Sequence, residues 1–254
     1  MSGAFLLARH EWRRLVVQPF AWILAAVVLA LMAWQFLLAV QAYLAIAPRL
    51  GGLRDAPGVT DLVAVPLLRS FSHVLAFVVP LVTMRSIAGE RRAGTLPLLL
   101  ASGQSNLRLV LGKFLGAYGF VAVLTVLVAL MPLALASGTA LDLGKIAASL
   151  LGLLLVAAAL TGIGIACSAW ASQPALAAGA AIAVTGLLAV VDAGARMQGI
   201  TNAGINYLAL PTHLEPFLRG IVASVDLVYF LLVAAVALAL AARRIDALRG
   251  SAQP

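Results

Sequence analysis

Charged residues are scarce in this sequence. Only 10% of the 254 residues are Asp, Glu, Lys or Arg, whereas 63% are hydrophobic and the mean hydropathy is +1.08. Soluble domains usually carry about a quarter charged residues, and even a chain of this length must present a polar surface to water. The composition therefore excludes an ordinary soluble protein and predicts that lipid surrounds much of the chain.

Cysteine and histidine are also rare, which excludes several kinds of site. Cys167 is the single cysteine, so no disulfide can form within the chain, and the three histidines are far apart in the sequence. No metalloprotease, serine-hydrolase or phosphate-loop motif occurs. We therefore expect no catalytic residue, metal site or cofactor in this chain. Its energy source should be an ion gradient or a partner protein.

Long apolar runs are the abundant feature. Six of them approach the roughly 20 apolar residues that a membrane-spanning helix needs, at residues 20–42, 66–87, 112–136, 147–171, 175–192 and 222–242. They predict an all-α membrane protein with six transmembrane helices in a single domain over residues 1–254. Small residues are dense in the fourth and fifth runs, which favours close helix packing there.

Two segments outside these runs have their own predicted structure. Residues 1–19 combine apolar side chains with several arginines, a pattern typical of an interfacial helix in the headgroup layer. The alternative is a plain basic flank that orients the first span. Residues 193–221 are too apolar for a simple loop, so we predict short re-entrant helices on the outer side of the membrane.

The basic residues indicate an orientation. If the N-terminus is cytoplasmic, most of the 17 Lys and Arg residues fall in inside segments, as the positive-inside rule requires. Both termini are then cytoplasmic, which requires an even number of spans. The formal net charge of +8 does not indicate a nucleic-acid partner, because these residues lie at the ends of apolar runs rather than along one polar face.

Two pairs of polar residues occur within or beside the predicted spans. Arg69 and His73 are four residues apart, as are Asp192 and Arg196, so each pair shares one face of its helix. Polar groups inside a membrane are costly and often functional. We hypothesise that the four line an outer cavity. The alternative is that they form structural salt bridges near the outer headgroups.

The loop from 85 to 111 is the only sizeable inside segment between spans. It begins with Arg85, continues through the charged turn Glu90-Arg91-Arg92, and breaks at Gly94-Thr95 before an apolar stretch too short to span a membrane. A short amphipathic segment at this face is suited to docking on a soluble partner. The alternative is an ordinary loop that carries positive-inside charges.

This loop resembles the coupling-helix region of type-2 ABC exporter permeases, through Glu90-Arg91-Arg92-x-Gly94-Thr95-Leu96-x-Leu98-Leu99 and then Leu111-Gly112-Lys113. Pro97 departs from that pattern, which often has an acidic residue there. A second stretch is similar to the last outer loop and sixth span of gliding-motility permeases and of the related copper-enzyme-maturation permeases. It reads His213-Leu214-Glu215-x-Phe217-x-Arg219-Gly220-Ile221, followed by Asp226 and Tyr229-Phe230.

The resemblance implies how such a chain works. Two permease chains, identical or different, would pair in a bacterial inner membrane, and each would rest on a separate cytoplasmic ABC ATPase subunit that binds ATP and Mg. The permease itself would have no nucleotide site, and a periplasmic partner would fit the arrangement. The residues expected to transmit closure of the ATPase to the spans are Arg85, Glu90, Arg91, Arg92, Gly94 and Thr95.

Two other functions remain open from the sequence. A gradient-driven secondary transporter would share the apolar composition, although no acidic residue lies at a predicted membrane midplane and no pair of broken inverted-repeat helices is obvious. A mechanotransmitting scaffold would share the fold and use ATP to rearrange a partner rather than to move a substrate. The sequence does not identify a substrate.

Overall fold

The computed structural model describes residues 3–50, 57–101, 105–197 and 207–250, with the side chains at 3–6, 50, 98, 100–101 and 190–197 left out. Within these ranges the chain forms only helices, turns and loops. The helices are α1 (Gly3–Val17), α2 (Pro19–Leu50), α3 (Val65–Thr83), α4 (Ala88–Arg92), α5 (Leu96–Ala101), α6 (Asn106–Leu130), α7 (Leu143–Trp170), α8 (Pro174–Met197), α9 (Leu210–Leu218) and α10 (Ser224–Gly250).

Five helical stretches in the described part of the chain are long and apolar enough to cross a membrane. They are Pro19–Arg49, Thr60–Arg92, Asn106–Leu135, Leu143–Trp170 and Ser224–Gly250, and α8 contributes a shorter apolar stretch at Pro174–Ala189. The predicted all-helical membrane architecture is therefore confirmed. The count of six spans stays a prediction, because the sixth stretch is shorter than the others.

The helices do not end where the apolar runs of the sequence end, so the predicted span bounds stay approximate predictions. The first run was expected to end at residue 42, but α2 continues to Leu50, and α8 and α10 likewise extend past their predicted ends. The second run was expected to reach residue 87, yet α3 ends at Thr83 because a turn separates it from α4. The third helix starts earlier than predicted and its α-helical part ends at Leu130. A 3₁₀ turn follows at Met131–Leu135, and Pro132 within it has no backbone N–H to continue the α-helical pattern.

The α7 helix lies at the centre of the bundle and packs against α3, α6, α8, α9 and α10. Its glycines permit close approach. A Cβ at Gly162 would lie 3.2 Å from the Cα of Ala234, and one at Gly164 would lie 2.1 Å from the Oγ1 of Thr83. The close packing predicted from small residues is confirmed for α7. By contrast, only 11% of the apolar α2 stretch is buried, so one long helix remains open to lipid or to another chain.

The predicted interfacial segment forms α1, and this helix packs against the first half of α6. A line of three glycines on α6 receives it. A Cβ would lie 2.7 Å from Leu7 at Gly112, 2.6 Å from Glu11 at Gly116 and 2.9 Å from Trp12 at Gly119. The helix is therefore a packed part of the bundle and not only a flank of the first span.

Candidate coupling site

The loop singled out by the sequence folds at one end of the bundle, which we call the α4 end. The turn between α3 and α4 is fastened to α7 by a single buried hydroxyl. Ser168 Oγ accepts hydrogen bonds from the backbone N–H groups of Ile87 (3.1 Å) and Ala88 (3.0 Å), and donates one to the carbonyl of Met84 (3.1 Å). Because buried backbone groups need partners, this hydroxyl fixes where α4 begins.

A glycine ends α4. Gly94 has φ +70°, a left-handed conformation that costs other residues more than glycine. Its N–H donates to the carbonyl of Arg91 (3.2 Å), while the N–H of Thr95 donates to the carbonyl of Glu90 (3.0 Å). These two bonds form a Schellman motif, which turns the chain sharply from α4 into α5.

Apolar side chains seal the loop onto the bundle on either side of α4. Ile87 is fully buried and Leu96 is 5% exposed. They belong to a cluster contributed by α6, α7 and α10, whose buried members include Leu109, Val110, Ile165, Ala169, Leu238, Ala241 and Ile245. The loop is thus a fixed part of the molecule, held by packing and not only by its own hydrogen bonds.

A buried ion cluster lies beneath α4. The side chain of Lys113, on α6, is 0% exposed, and its Nζ lies 2.8 Å from Glu11 Oε1 on α1 and 2.5 Å from Glu90 Oε1 on α4. Arg14 adds a second positive charge, 3.5 Å from Glu90 and 3.8 Å from Glu11. Two carboxylates therefore face two basic groups, and one lysine connects three helices. We call these four residues the Lys113 cluster.

The six predicted coupling residues fall into an inward and an outward group. Glu90 is buried in the Lys113 cluster. Arg91 is half-buried, and the remaining three of the α4 turn, Arg92, Gly94 and Thr95, are exposed. Arg85 is exposed as well, and its guanidinium carbon lies 5.8 Å from the centre of the Phe20 ring on α2. The loop thus presents a basic outer surface, and Glu90 connects it to the interior.

Three residues of this site were not predicted from the sequence. Glu11 and Arg14 stood within the basic N-terminal segment, and Ser168 within an apolar run. Lys113 belongs to the Leu111-Gly112-Lys113 motif of the resemblance, which assigns it no partner. One signal could have found it: a lysine followed by about 25 apolar or small residues must either point out of the membrane or find a carboxylate.

The opposite end of the bundle, which carries α9, holds the predicted outer residues. Arg69 Nη2 lies 2.8 Å from Glu215, which also pairs with Arg219 at 3.2 Å. His73 does not contact the Arg69 guanidinium; its Nδ1 lies 3.0 Å from the Arg69 backbone oxygen, and its ring borders a small crevice with Pro211. The side chains of Asp192 and Arg196 lie outside the described ones, so their pairing stays a prediction.

A second polar cluster at this end surrounds His213. Its Nδ1 lies 2.6 Å from Asp226 Oδ1 and its Nε2 lies 2.8 Å from the Tyr207 carbonyl. The ring stacks on Tyr229 at 3.8 Å between centroids, and the Tyr229 hydroxyl donates to the Leu208 carbonyl at 2.8 Å. Both partners of the imidazole can accept hydrogen bonds, so His213 ties α9 to the start of α10.

The helices and the two polar ends define a multi-pass transmembrane protein. The short helix α4 is fixed at the surface of its basic α4 end. The family model described as ABC-2 family transporter protein matches residues 63–242, which is more than half of the chain. The chain therefore belongs to this family and is a membrane permease of the ABC transporter type. No curated protein matches the sequence. The resemblance to type-2 ABC permeases is thereby confirmed at family level.

Proposed function

We propose that this chain couples ATP hydrolysis by a separate ABC ATPase to export, or to conformational work, across the membrane. Family membership implies such an ATPase and typically a dimeric arrangement. The observation that carries the proposal is the two-sided loop. Its outer surface offers Arg92 and Thr95 to a soluble partner, whereas Glu90 reaches Lys113 inside the bundle.

The contacts give a route by which movement of α4 would reach the spans. A displacement of α4 acts on Lys113 through Glu90 and from there on α1 through Glu11. It acts on α7 through the Ser168 hydroxyl. Charge-assisted hydrogen bonds in a site of low dielectric resist stretching more than neutral ones do. The ATP and Mg would belong to the ATPase, so this chain would be no enzyme on its own.

The proposed assembly has six spans, cytoplasmic termini and the α4 end in the cytoplasm of a bacterial inner membrane. The basic side chains at the α4 end support this orientation. A second permease chain, the same or different, would cover part of the exposed apolar surface of α2. A periplasmic partner would meet the charged α9 end, where the residues that resemble the gliding-motility and copper-enzyme-maturation permeases lie.

The test is purification of the tagged chain from its native host in mild detergent, with an ATPase assay on the eluate. Replacing Arg91 and Arg92 together by Glu should release the ATPase, since the outer surface of α4 changes sign. The matched control replaces Arg9 and Arg13 of α1 by Glu, which changes the net charge equally at the same end but leaves α4 intact. This control should retain the ATPase.

Each other outcome has a definite meaning. A wild-type chain that purifies without any ATPase would contradict the proposal and favour a gradient-driven transporter. Equal retention in both double variants would show that the partner docks elsewhere. ATPase activity that responds to the loop while no candidate substrate moves in vesicles would favour the mechanotransmitting scaffold.

A further inference from the structure

An apolar groove runs along the outside of α7, α8 and α10 near the α4 end. It holds about 550 Å³, within the roughly 300–1,000 Å³ that ligand pockets occupy. Its lining is apolar apart from one thiol, and the main contributors are Ile163, Cys167 and Trp170 of α7, Leu176 and Val184 of α8, and Leu240 of α10. On a membrane protein, a groove of this kind suits either a lipid acyl chain or a helix of another chain.

A basic side chain stands at one mouth of this groove. Arg244 follows Leu240 by one turn of α10, so both lie on the same face, and its guanidinium carbon lies 5.0 Å from the centre of the Trp170 ring. Trp170 is 60% exposed. Among the described residues no carboxylate pairs with Arg244, and its Nε is buried without a hydrogen-bond partner. The mouth therefore carries a positive charge that no described carboxylate neutralises.

The charge decides between the two occupants. A second copy of this chain would bring its own basic α4 end, and like charges would meet. An anionic phospholipid brings a phosphate, whose oxygens accept hydrogen bonds from a guanidinium in a favourable geometry. Tryptophan and arginine are also the side chains that commonly lie at headgroup level, with apolar residues beyond them.

We propose that the groove is a binding site for one anionic phospholipid. An acyl chain lies between α7, α8 and α10, and the phosphate accepts hydrogen bonds from Arg244 while the Trp170 ring lies beside the headgroup. The site is separate from the Lys113 cluster, and the proposal does not depend on the partner ATPase.

The test uses the full chain in vesicles equimolar in phosphatidylglycerol and phosphatidylcholine, with brominated chains on one lipid or on the other. Bromine quenches tryptophan fluorescence on contact. The quenching of Trp170 is obtained as the difference in quenched fluorescence between the wild type and a Trp170→Phe variant. Brominated phosphatidylglycerol should occupy the groove with about fivefold preference, the size expected from one basic side chain near an anionic headgroup.

Three variants make the result specific. Arg244→Gln should abolish the preference, Arg244→Lys should keep part of it, and Arg243→Gln should keep all of it, because that exposed neighbour loses the same charge on a different face of α10. Equal quenching by both lipids in the wild type would overturn the proposal. So would equal loss in the two Gln variants, which would indicate diffuse attraction to the basic end. Absence of quenching by either lipid would show that another chain covers the groove.

Discussion

At the scale of single residues, Lys113 is the side chain on which we expect the stability of the α4 end to depend most. Lys113→Met would leave Glu11 and Glu90 buried with only the partly exposed Arg14 beside them. Removal of one partner from a buried ion pair costs about 3–5 kcal/mol, and we expect a loss of that size in the free energy of unfolding. The measurement is denaturant titration in mixed micelles, with helix content followed by circular dichroism.

A matched lysine provides the control for this prediction. Lys145 pairs with Asp61 at 2.7 Å, but both side chains remain partly exposed, so Lys145→Met should cost at most about 1 kcal/mol. A further variant that combines Lys113→Met with Glu11→Gln and Glu90→Gln should recover much of the lost stability, since no unpaired charge then stays buried. Equal losses for the two single lysine variants would contradict the argument.

Sequence reasoning found Glu90 but not the partners that bury it. The Gly94-Thr95 break could be predicted because glycine after a short helix favours a left-handed turn, and the structure has that turn. The contact of Glu90 with Arg14, and its link to Glu11 through Lys113, could not be predicted, because Glu90 is about 80 positions from α1 along the chain and nothing local couples them. Similarly, Ser168 lies in an apolar run whose periodicity does not reveal which backbone groups its hydroxyl will bond.

At the scale of elements, the contact of α1 with α6 depends on backbone approach at three glycines. In a Gly116→Ala variant, the new Cβ would lie 2.6 Å from the Glu11 Cβ and 3.1 Å from the Ala8 carbonyl oxygen. Neither atom is the end of a flexible side chain, so α1 has to shift. We expect a cost of about 1–3 kcal/mol, which is typical of overpacking, together with faster protease cleavage at Arg13 and Arg14.

The control for this prediction is Gly179→Ala on α8, where a new Cβ has nothing within 4 Å. That change should be neutral or should stabilise the helix by about 0.5–1 kcal/mol, because alanine loses less conformational freedom than glycine. If Gly116→Ala behaved like Gly179→Ala, α1 would not be held by close packing.

Hydropathy predicted the long helices well, because length and apolar composition are local properties of the sequence. Their ends were less predictable. The turn after Thr83 depends on a hydroxyl of α7, and the π-helical turn at Thr60–Ala64 has no proline or glycine within it to indicate it. The association of α1 with α6 had a usable signal in the spacing of Gly112 and Gly116, which is the small-residue pattern of packed membrane helices.

At the scale of the whole molecule, the α4 end and the α9 end differ in charge and in how their charged side chains are paired. The α4 end presents arginines to the outside and buries two carboxylates, Glu11 and Glu90, in the Lys113 cluster. The α9 end pairs its surface charges with one another, as in Arg69, Glu215 and Arg219. We therefore expect the α4 end on the cytoplasmic side of the membrane, since basic residues rather than net charge set the orientation.

This difference predicts which end a membrane-impermeant maleimide can reach. In a Cys167→Ala background, Arg92→Cys should be labelled only in inverted membrane vesicles, and Arg219→Cys only in cells with an intact inner membrane. Both positions are suited to the test because Arg92 is exposed and the Arg219 side chain is 70% exposed. Labelling of both from one side would contradict a bundle whose α4 and α9 ends lie on opposite faces. Labelling with the sides exchanged would keep that bundle but reverse its orientation, and the α4 surface could then no longer meet a cytoplasmic ATPase.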